Sequence, residues 1–294
     1  MTQTALILGP TGKFGRNMAL AFENAGWAVR RFDRKTDDLL TAVNGVDVIV
    51  QGWHPSYELW AKDVPVLTAR VIDAAQRSGA TVLIPGNVYV YGADAPAVWN
   101  EDTPHAATNP LGRIRTEMEA TFKASGVRTI ILRAGDFLDT VPSGNWFDRI
   151  IVKNLSKGKF AYPGPTDIPR SWAYLPDMCR AFVMLAERRA ELPVFTTLNY
   201  EGYTMSGQRM AKILGVNAGQ MSWWPLYLLI PFWKLARPII EMRYLWNKPH
   251  QMDGSALRKL LPDFVETPME EAVLTAASFQ INPDQPMIGG RATV

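Results

Sequence analysis

Through the first 135 residues, short and nearly continuous apolar runs alternate with longer amphipathic stretches. The runs Ala5–Leu8, Ala28–Phe32, Val46–Val50, Thr81–Pro85 and Arg128–Leu132 read as strands. A sheet covered on both faces has no polar side to alternate with, so its strands are apolar throughout. Between them, apolar residues recur at helical spacing over Lys13–Ala25, Asp37–Val43, Leu59–Ser78 and Leu111–Ser125. Three of these stretches stop at Gly26, Gly79 and Gly126, where a helix end is expected. Strands alternating with helices predict parallel βαβ units.

Beyond Gly135 the pieces shorten. A helix is predicted around Trp146–Leu155, a strand near Ser171–Leu175, a helix from Pro176 to Arg189 and a strand near Phe195–Asn199. The rest consists of proline-punctuated helices rich in aromatics (Trp223, Trp224, Tyr227, Phe232, Trp233, Tyr244, Trp246), a composition suited to a cap over a cleft. The organisation expected is a core over 1–135 with contributions from 171–200, followed by a substrate lobe and helical cap over 136–294.

Composition narrows the function classes. With 47% hydrophobic and 20% charged residues, 22 Gly and 21 Pro, the chain is neither fibrous nor broadly disordered. Its 31 Lys and Arg against 28 Asp and Glu give a net charge of +3 without a basic block, so no nucleic-acid partner is expected. One cysteine, Cys179, and three histidines leave no residue set for a disulfide or a His/Cys metal site. No leader-like segment opens the chain, and the apolar run Trp223–Trp233 is interrupted by Pro225 and Pro231. It is about half the ~20 residues a spanning helix needs, so a cytoplasmic protein without a transmembrane segment is expected.

Candidate chemistry begins at Gly9-Pro-Thr-Gly12-Lys-Phe-Gly15, which follows the first predicted strand and opens the first predicted helix. Glycines there allow a tight turn, close backbone approach and close helix packing, leaving helix N-terminal amides aimed at a pyrophosphate. Gly9, Thr11, Gly12, Lys13, Phe14 and Gly15 are therefore candidate cofactor residues. Asp33, at the end of the second strand, is placed to accept the adenine-ribose hydroxyls, which favours NAD over NADP. Arg34 in the same turn offers the guanidinium that a 2′-phosphate would want.

These features resemble the short-chain dehydrogenase/reductase superfamily, specifically its extended and atypical, NAD-dependent epimerase/dehydratase-like members. The resemblance rests on the glycine spacing, Asp47-Val-Ile-Val50, Val90-Tyr-Gly92, Asn109-Pro110, Leu132-Arg-Ala-Gly135, Arg170-Ser-Trp-Ala-Tyr-Leu-Pro-Asp177 and a C-terminal helix at Met252-Asp253. It implies a Rossmann-type doubly wound parallel sheet with a smaller, mainly helical C-terminal lobe. It also implies an NAD- or NADP-binding oxidoreductase or epimerase/dehydratase acting on a small organic molecule, and homodimerisation through the helices at 59–78 and 111–125. Two departures stand out. Only 12 residues separate Asp33 from Val46, so one edge strand is expected to be missing. The family's Tyr-x-x-x-Lys relay is degenerate, with Leu111 in the tyrosine slot, Arg115 in the lysine slot and Asn87 in the serine slot.

A rebuilt relay would need other proton carriers. Tyr91, Arg115 and His105 are the catalytic candidates, and Asn87 and Arg115 are also cofactor candidates. Trp53, after the third strand, would narrow the nicotinamide side or stack on a ring. Tyr89, Asp136, Arg170 and Tyr174 are candidate substrate contacts. The opposing reading is a non-catalytic NAD(P)-binding sensor or assembly protein that lost the relay.

Overall fold

A computed structural model describes residues 2–281. Each predicted apolar run of the first half is a strand: β1 (Thr4–Leu8), β2 (Ala28–Phe32), β3 (Val48–Gln51) and β4 (Thr81–Gly86), then a short β5 (Val98–Trp99), and β6 (Thr129–Arg133). Helices α1 (Lys13–Asn24), α2 (Leu39–Ala42), α3 (Trp60–Ser78) and α4 (Pro110–Ala124) lie between them. The chain continues through β7 (Asp136–Leu138), β8 (Arg170–Tyr174), α5 (Leu175–Glu187), β9 (Phe195–Asn199) and β10 (Tyr203–Met205). It then runs through α6 (Gly207–Ile213), α7 (Trp224–Leu229), α8 (Ala236–Glu241), β11 (Gln251–Met252), α9 (Ser255–Leu260) and α10 (Met269–Ile281).

Six parallel strands form one sheet in the order β2-β1-β3-β4-β6-β9. Period-two alternation divides its side chains. Ala5 and Ile7 face a core layer with α1 and α5, while Leu6 and Leu8 face one with α3 and α4. Both faces are thus covered, and the fold is a doubly wound α/β Rossmann type. The sheet ends at β2: the short connection after Asp33 holds only the four-residue α2 before the chain crosses to β3, so the edge strand expected to be missing is absent.

A second unit packs β7, β8 and β10 with the later helices around a separate core containing Phe147, Tyr162, Trp172, Trp223 and Trp246. Two expectations change here. The helix expected over Trp146–Leu155 is one wide π-type turn at Phe147–Ile151 and a tight turn at Leu155–Lys157. Asp148 turns back to accept the Ser143 and Gly144 amides, and left-handed Gly158 closes the second turn. The helix expected at Met252-Asp253 begins later, at Ser255, because Gln251 and Met252 pair with Val98 and Trp99 as an isolated two-stranded ribbon. Residues 282–294 of the expected cap lie outside the described residues.

Candidate functional site

The order of the sheet reverses direction between β1 and β3, and loops leaving adjacent strands in opposite directions open a crevice at their carboxyl ends. Gly9 and Gly52 stand there. Gly9 is left-handed (φ 73°), and a Cβ on it would lie 2.8 Å from the Gly52 carbonyl oxygen. A Cβ on Gly52 would lie closer still to the Leu8 carbonyl, and one on Gly15 would strike the Gly9 carbonyl at 2.2 Å. The turn is closed by the Gly12 amide donating to the Gly9 carbonyl at 3.1 Å, and α1 starts at Lys13 with no side-chain cap on its amides. The chain thus brings an uncapped helix N-terminus to the crevice, a place that attracts anions.

The predicted cofactor residues distribute around it. Thr11 and Gly12 are exposed on the open side of the turn. Phe14 offers only its backbone, since its ring is buried edge-on against Phe182. The Lys13 side chain is half-buried. Burial lowers its pKa, opposed by the fields of Asp148, Asp139 and Asp136 from the second unit. Arg16 and Asn17, one turn further on, bind Asp139 at 2.7 and 3.1 Å and fasten α1 to the segment after β7.

Asp33 follows β2, level with Gly9, and its Oδ1 accepts the Lys35 amide at 2.9 Å in an exposed turn shared with Arg34. Trp53 lies against Phe32, ring centroids 5.6 Å apart, with the Arg70 guanidinium 5.3 Å from its ring centre. That sets Trp53 toward the β2 side of the crevice, where it also lines the recess described next. The Gln51 carboxamide oxygen is buried there without a partner.

Gln51, Trp53, His54, Trp60, Arg115 and Met118 line a small recess that opens to solvent and encloses little more than the space of a water molecule. His54 sits at its mouth, accessible to water yet walled by protein. Enclosure, with the positive fields of Lys13 and Arg115, lowers its pKa and keeps the ring neutral at pH 7. Arg115 donates to the Pro85 carbonyl at 2.8 Å, while its buried Nε has no partner. Leu111, one turn earlier on α4, is buried in the hydrophobic core.

A pair of phenols stands beside Arg115. The hydroxyls of Tyr57 and Tyr89 are 2.7 Å apart. Burial raises both phenol pKa values, Tyr89 the more, while the Arg115 field works the other way on Tyr57. Both are therefore neutral at pH 7: one hydroxyl hydrogen lies between the two oxygens and the second is free to donate elsewhere. Tyr89 was expected as a substrate contact; Tyr57 lies in a turn after Pro55 where no sequence signal points to chemistry. Asn87 spends its side-chain oxygen on the Tyr89 amide at 3.1 Å, so it shapes this turn and holds Tyr89 in place.

Tyr91 and His105 are placed elsewhere. Tyr91 is buried against Trp99, its hydroxyl toward Asn199 at 3.4 Å, with Arg133 5.4 Å from its ring centre. His105 joins the same cluster, where Arg133 and Glu119 form a buried bidentate pair at 3.0 and 2.6 Å. The turn Val88–Tyr91 sends alternate aromatic rings to opposite sides, Tyr89 toward Tyr57 and Tyr91 into the core. Among the substrate candidates, Asp136 and Arg170 pair at 2.5 Å, with the Arg170 guanidinium 3.5 Å from the centre of the Trp246 ring. Arg170 Nε and Nη1 are buried without partners. Tyr174 belongs to the core of the second unit, where burial and the fields of Asp177 and Asp139 raise its pKa to about 12.

Solved structures share this architecture. A nucleoside-diphosphate-sugar epimerase from Pseudomonas aeruginosa superposes with a TM-score of 0.71 at 18% identity, covering 96% of this chain and 98% of its own. The chain has the fold of these epimerases. A UDP-glucuronic acid 4-epimerase from Bacillus cereus, solved with UDP-glucuronic acid and NAD, gives 0.70 at 15% identity over 96% of this chain and 100% of its own. RMD from Pseudomonas aeruginosa, solved with NADPH, gives 0.68 at 16% identity over 95% and 99%. No family description matches the sequence, and no curated protein is similar to it by sequence.

Proposed function

We propose that this protein is an NAD(P)-dependent oxidoreductase of the epimerase/dehydratase type, acting on a small organic molecule of which nucleotide sugars are the first class to test. The observation that carries this is the glycine turn packed on Gly52 at the reversal of strand order, with the amides of α1 uncapped above it. That cradle suits a dinucleotide: the turn admits no Cβ at Gly9 or Gly15, and its open side is lined by Thr11 and Gly12. The amides of residues 11–15 would hold the diphosphate, with Lys13 adding a cation, and Asp33 would take the adenine ribose. Asp33 leaves one carboxylate oxygen outside its own turn, which supports NAD over NADP.

When bound, the nicotinamide supplies hydride transfer. The chain's own residues position the substrate and carry the proton. Because Leu111 cannot exchange a proton, that task falls to the Tyr57–Tyr89 pair, whose free hydroxyl hydrogen can be donated to a developing alkoxide and replaced through the second phenol. Raised pKa values make the two phenols poor bases but intact acids at neutral pH. Arg115 stabilises negative charge accumulating on either oxygen; as a guanidinium it remains a fixed cation and does not relay the proton.

The second reading, a dinucleotide-binding protein without turnover, is favoured by the burial of Leu111 where the relay tyrosine would stand. Calorimetric titration with NADH and NADPH, followed by a turnover screen over nucleotide sugars and simple carbonyl compounds, separates the two. Turnover in the native protein that falls at least ~100-fold in Tyr89→Phe, with dinucleotide affinity retained, supports the phenol pair. Turnover unaffected by Tyr57→Phe and Tyr89→Phe together removes it; binding with no turnover leaves the sensor reading; no binding of either dinucleotide ends both.

A further inference from the structure

The stretch Trp224–Trp233 leaves six large apolar side chains in solvent: Trp224, Tyr227, Leu228, Leu229, Phe232 and Trp233. Phe232 is 87% exposed and Trp224 63%. Among the described residues, every exposed Trp, Tyr and Phe lies in these ten positions. Single exposed leucines are ordinary, whereas a contiguous apolar patch marks an interaction surface. The patch is held from below. Trp223 is buried and donates its indole N–H to the Pro163 carbonyl at 2.5 Å, Leu226 packs on the core of the second unit, and Ala236, Ile239 and Ile240 seat α8.

Charge identifies what would cover it. From Gly207 to Met252 the chain carries Arg209, Lys212, Lys234, Arg237, Arg243 and Lys248 against one carboxylate, Glu241. Glu241 is turned inward, accepting from the Leu111 amide and Asn109 Nδ2, both at 2.8 Å. Lys234 and Arg237 are exposed directly after Phe232 and Trp233, Arg243 donates to the Tyr227 hydroxyl at 3.2 Å, and the nearby acidic group acting on Lys234 is Glu58, from the turn that carries Tyr57. Apolar side chains with tryptophan and tyrosine among them, flanked by cations on short helices, match a segment lying in the headgroup region of a bilayer. Among the described residues no helix is long and apolar enough to cross a membrane, so the association is with a surface.

We propose that the α7–α8 hairpin is a peripheral membrane anchor that seats on an anionic lipid surface, with Phe232 and Trp233 entering the headgroup–acyl boundary and Lys234 and Arg237 holding the phosphates. The test is co-sedimentation of the full chain with phosphatidylcholine vesicles, with and without phosphatidylserine, at low and high salt. Binding is expected to vesicles containing phosphatidylserine and to weaken with salt. Lys234→Ala with Arg237→Ala is expected to lower the partition coefficient about 25-fold, roughly fivefold for each cation removed from an anionic surface. Phe232→Ser with Trp224→Ser is expected to abolish binding; both positions are exposed, and circular dichroism checks that the fold is intact. No sedimentation with either vesicle overturns the proposal, as does binding unchanged in both double variants. A light-scattering dimer dissolved by Phe232→Ser with Trp224→Ser, in a chain that ignores vesicles, assigns the patch to a second copy instead. The readout needs neither dinucleotide nor turnover, so its failure leaves the oxidoreductase reading untouched.

Discussion

Replacing Gly12 and Gly15 separately by alanine distinguishes a turn built to receive a diphosphate from one that merely packs well. At Gly15 the new Cβ would lie 2.2 Å from the Gly9 carbonyl oxygen, 2.8 Å from its carbon and 3.2 Å from Pro10 Cα, all of them backbone atoms. Reaching an ordinary contact requires the turn to retreat by about 1 Å, an overpacking that costs about 1–3 kcal/mol. Alanine's better helix propensity returns up to ~1 kcal/mol. Taking the middle of that cost, about 2 kcal/mol, the net loss is about 1–2 kcal/mol and lowers the melting temperature by roughly 2–8 °C in a protein of this size. Gly12 differs: its φ is −75° and the new Cβ would meet the Gly9 carbonyl oxygen at 3.4 Å, a contact the turn accommodates with little movement. Stability is expected to change by less than about 1 kcal/mol. The methyl then points to the open side, where a diphosphate must approach the amides, so NADH affinity measured by calorimetry is expected to fall at least ~10-fold. Gly12→Ala binding NADH as the native chain does would refute the cradle. Gly15→Ala melting at the native temperature would refute the packing.

Three further outcomes are expected. Glu119→Ala, which leaves Arg133 buried without its partner, should cost about 3–5 kcal/mol in urea unfolding, and Glu119→Leu with Arg133→Met should recover much of it. Burial raises the Glu119 pKa but the field and hydrogen bonds of Arg133 outweigh it and hold it low, so this stabilisation is present above pH 4.5 and is lost as the pH falls through the depressed folded value. Burial, with the field of Arg170, lowers the His250 pKa to about 3, so the unfolded chain takes up a proton below pH 6.5 that the native ring refuses. Stability should therefore drop between pH 6.5 and about 3 by up to ~1.4 kcal/mol per pH unit from this site; His250→Phe, which keeps the stack on Trp99, should flatten that slope, and an unchanged slope would exclude His250 as its source. Asp139→Ala removes the acceptor for Arg16, Asn17 and the Thr140 amide, and a loss of about 2–4 kcal/mol by thermal unfolding is expected; an effect below ~0.5 kcal/mol would mean that α1 is not fastened there.

Much of the framework was legible because it depends on local pattern. Strands covered on both faces must be apolar throughout, and the runs ending at Leu8 and Val50 show it directly, whereas β2 at the sheet edge carries Arg30 and Arg31 and buries only Phe32 fully. The missing edge strand was equally plain, since 12 residues between Asp33 and Val46 cannot hold another strand and crossover helix. Patterning failed where a segment's conformation comes from a distant partner. Gln251 and Met252 are extended because Val98 and Trp99, about 150 residues earlier, pair with them.

The amino-acid order alone determined the parallel sheet, its shortened edge, the glycine turn opening α1 and the loss of a tyrosine at position 111, because each depends on residues close along the chain. Which aromatic side chains meet across the crevice was decided only in three dimensions. Tyr89 and Tyr91 are two residues apart, yet the tight turn sends one hydroxyl to Tyr57 and the other into the Arg133 cluster. Likewise adjacent tryptophans part at the start of α7: Trp223 is buried in the core of the second unit, its indole N–H bonded to the Pro163 carbonyl, while Trp224 on the next position faces solvent.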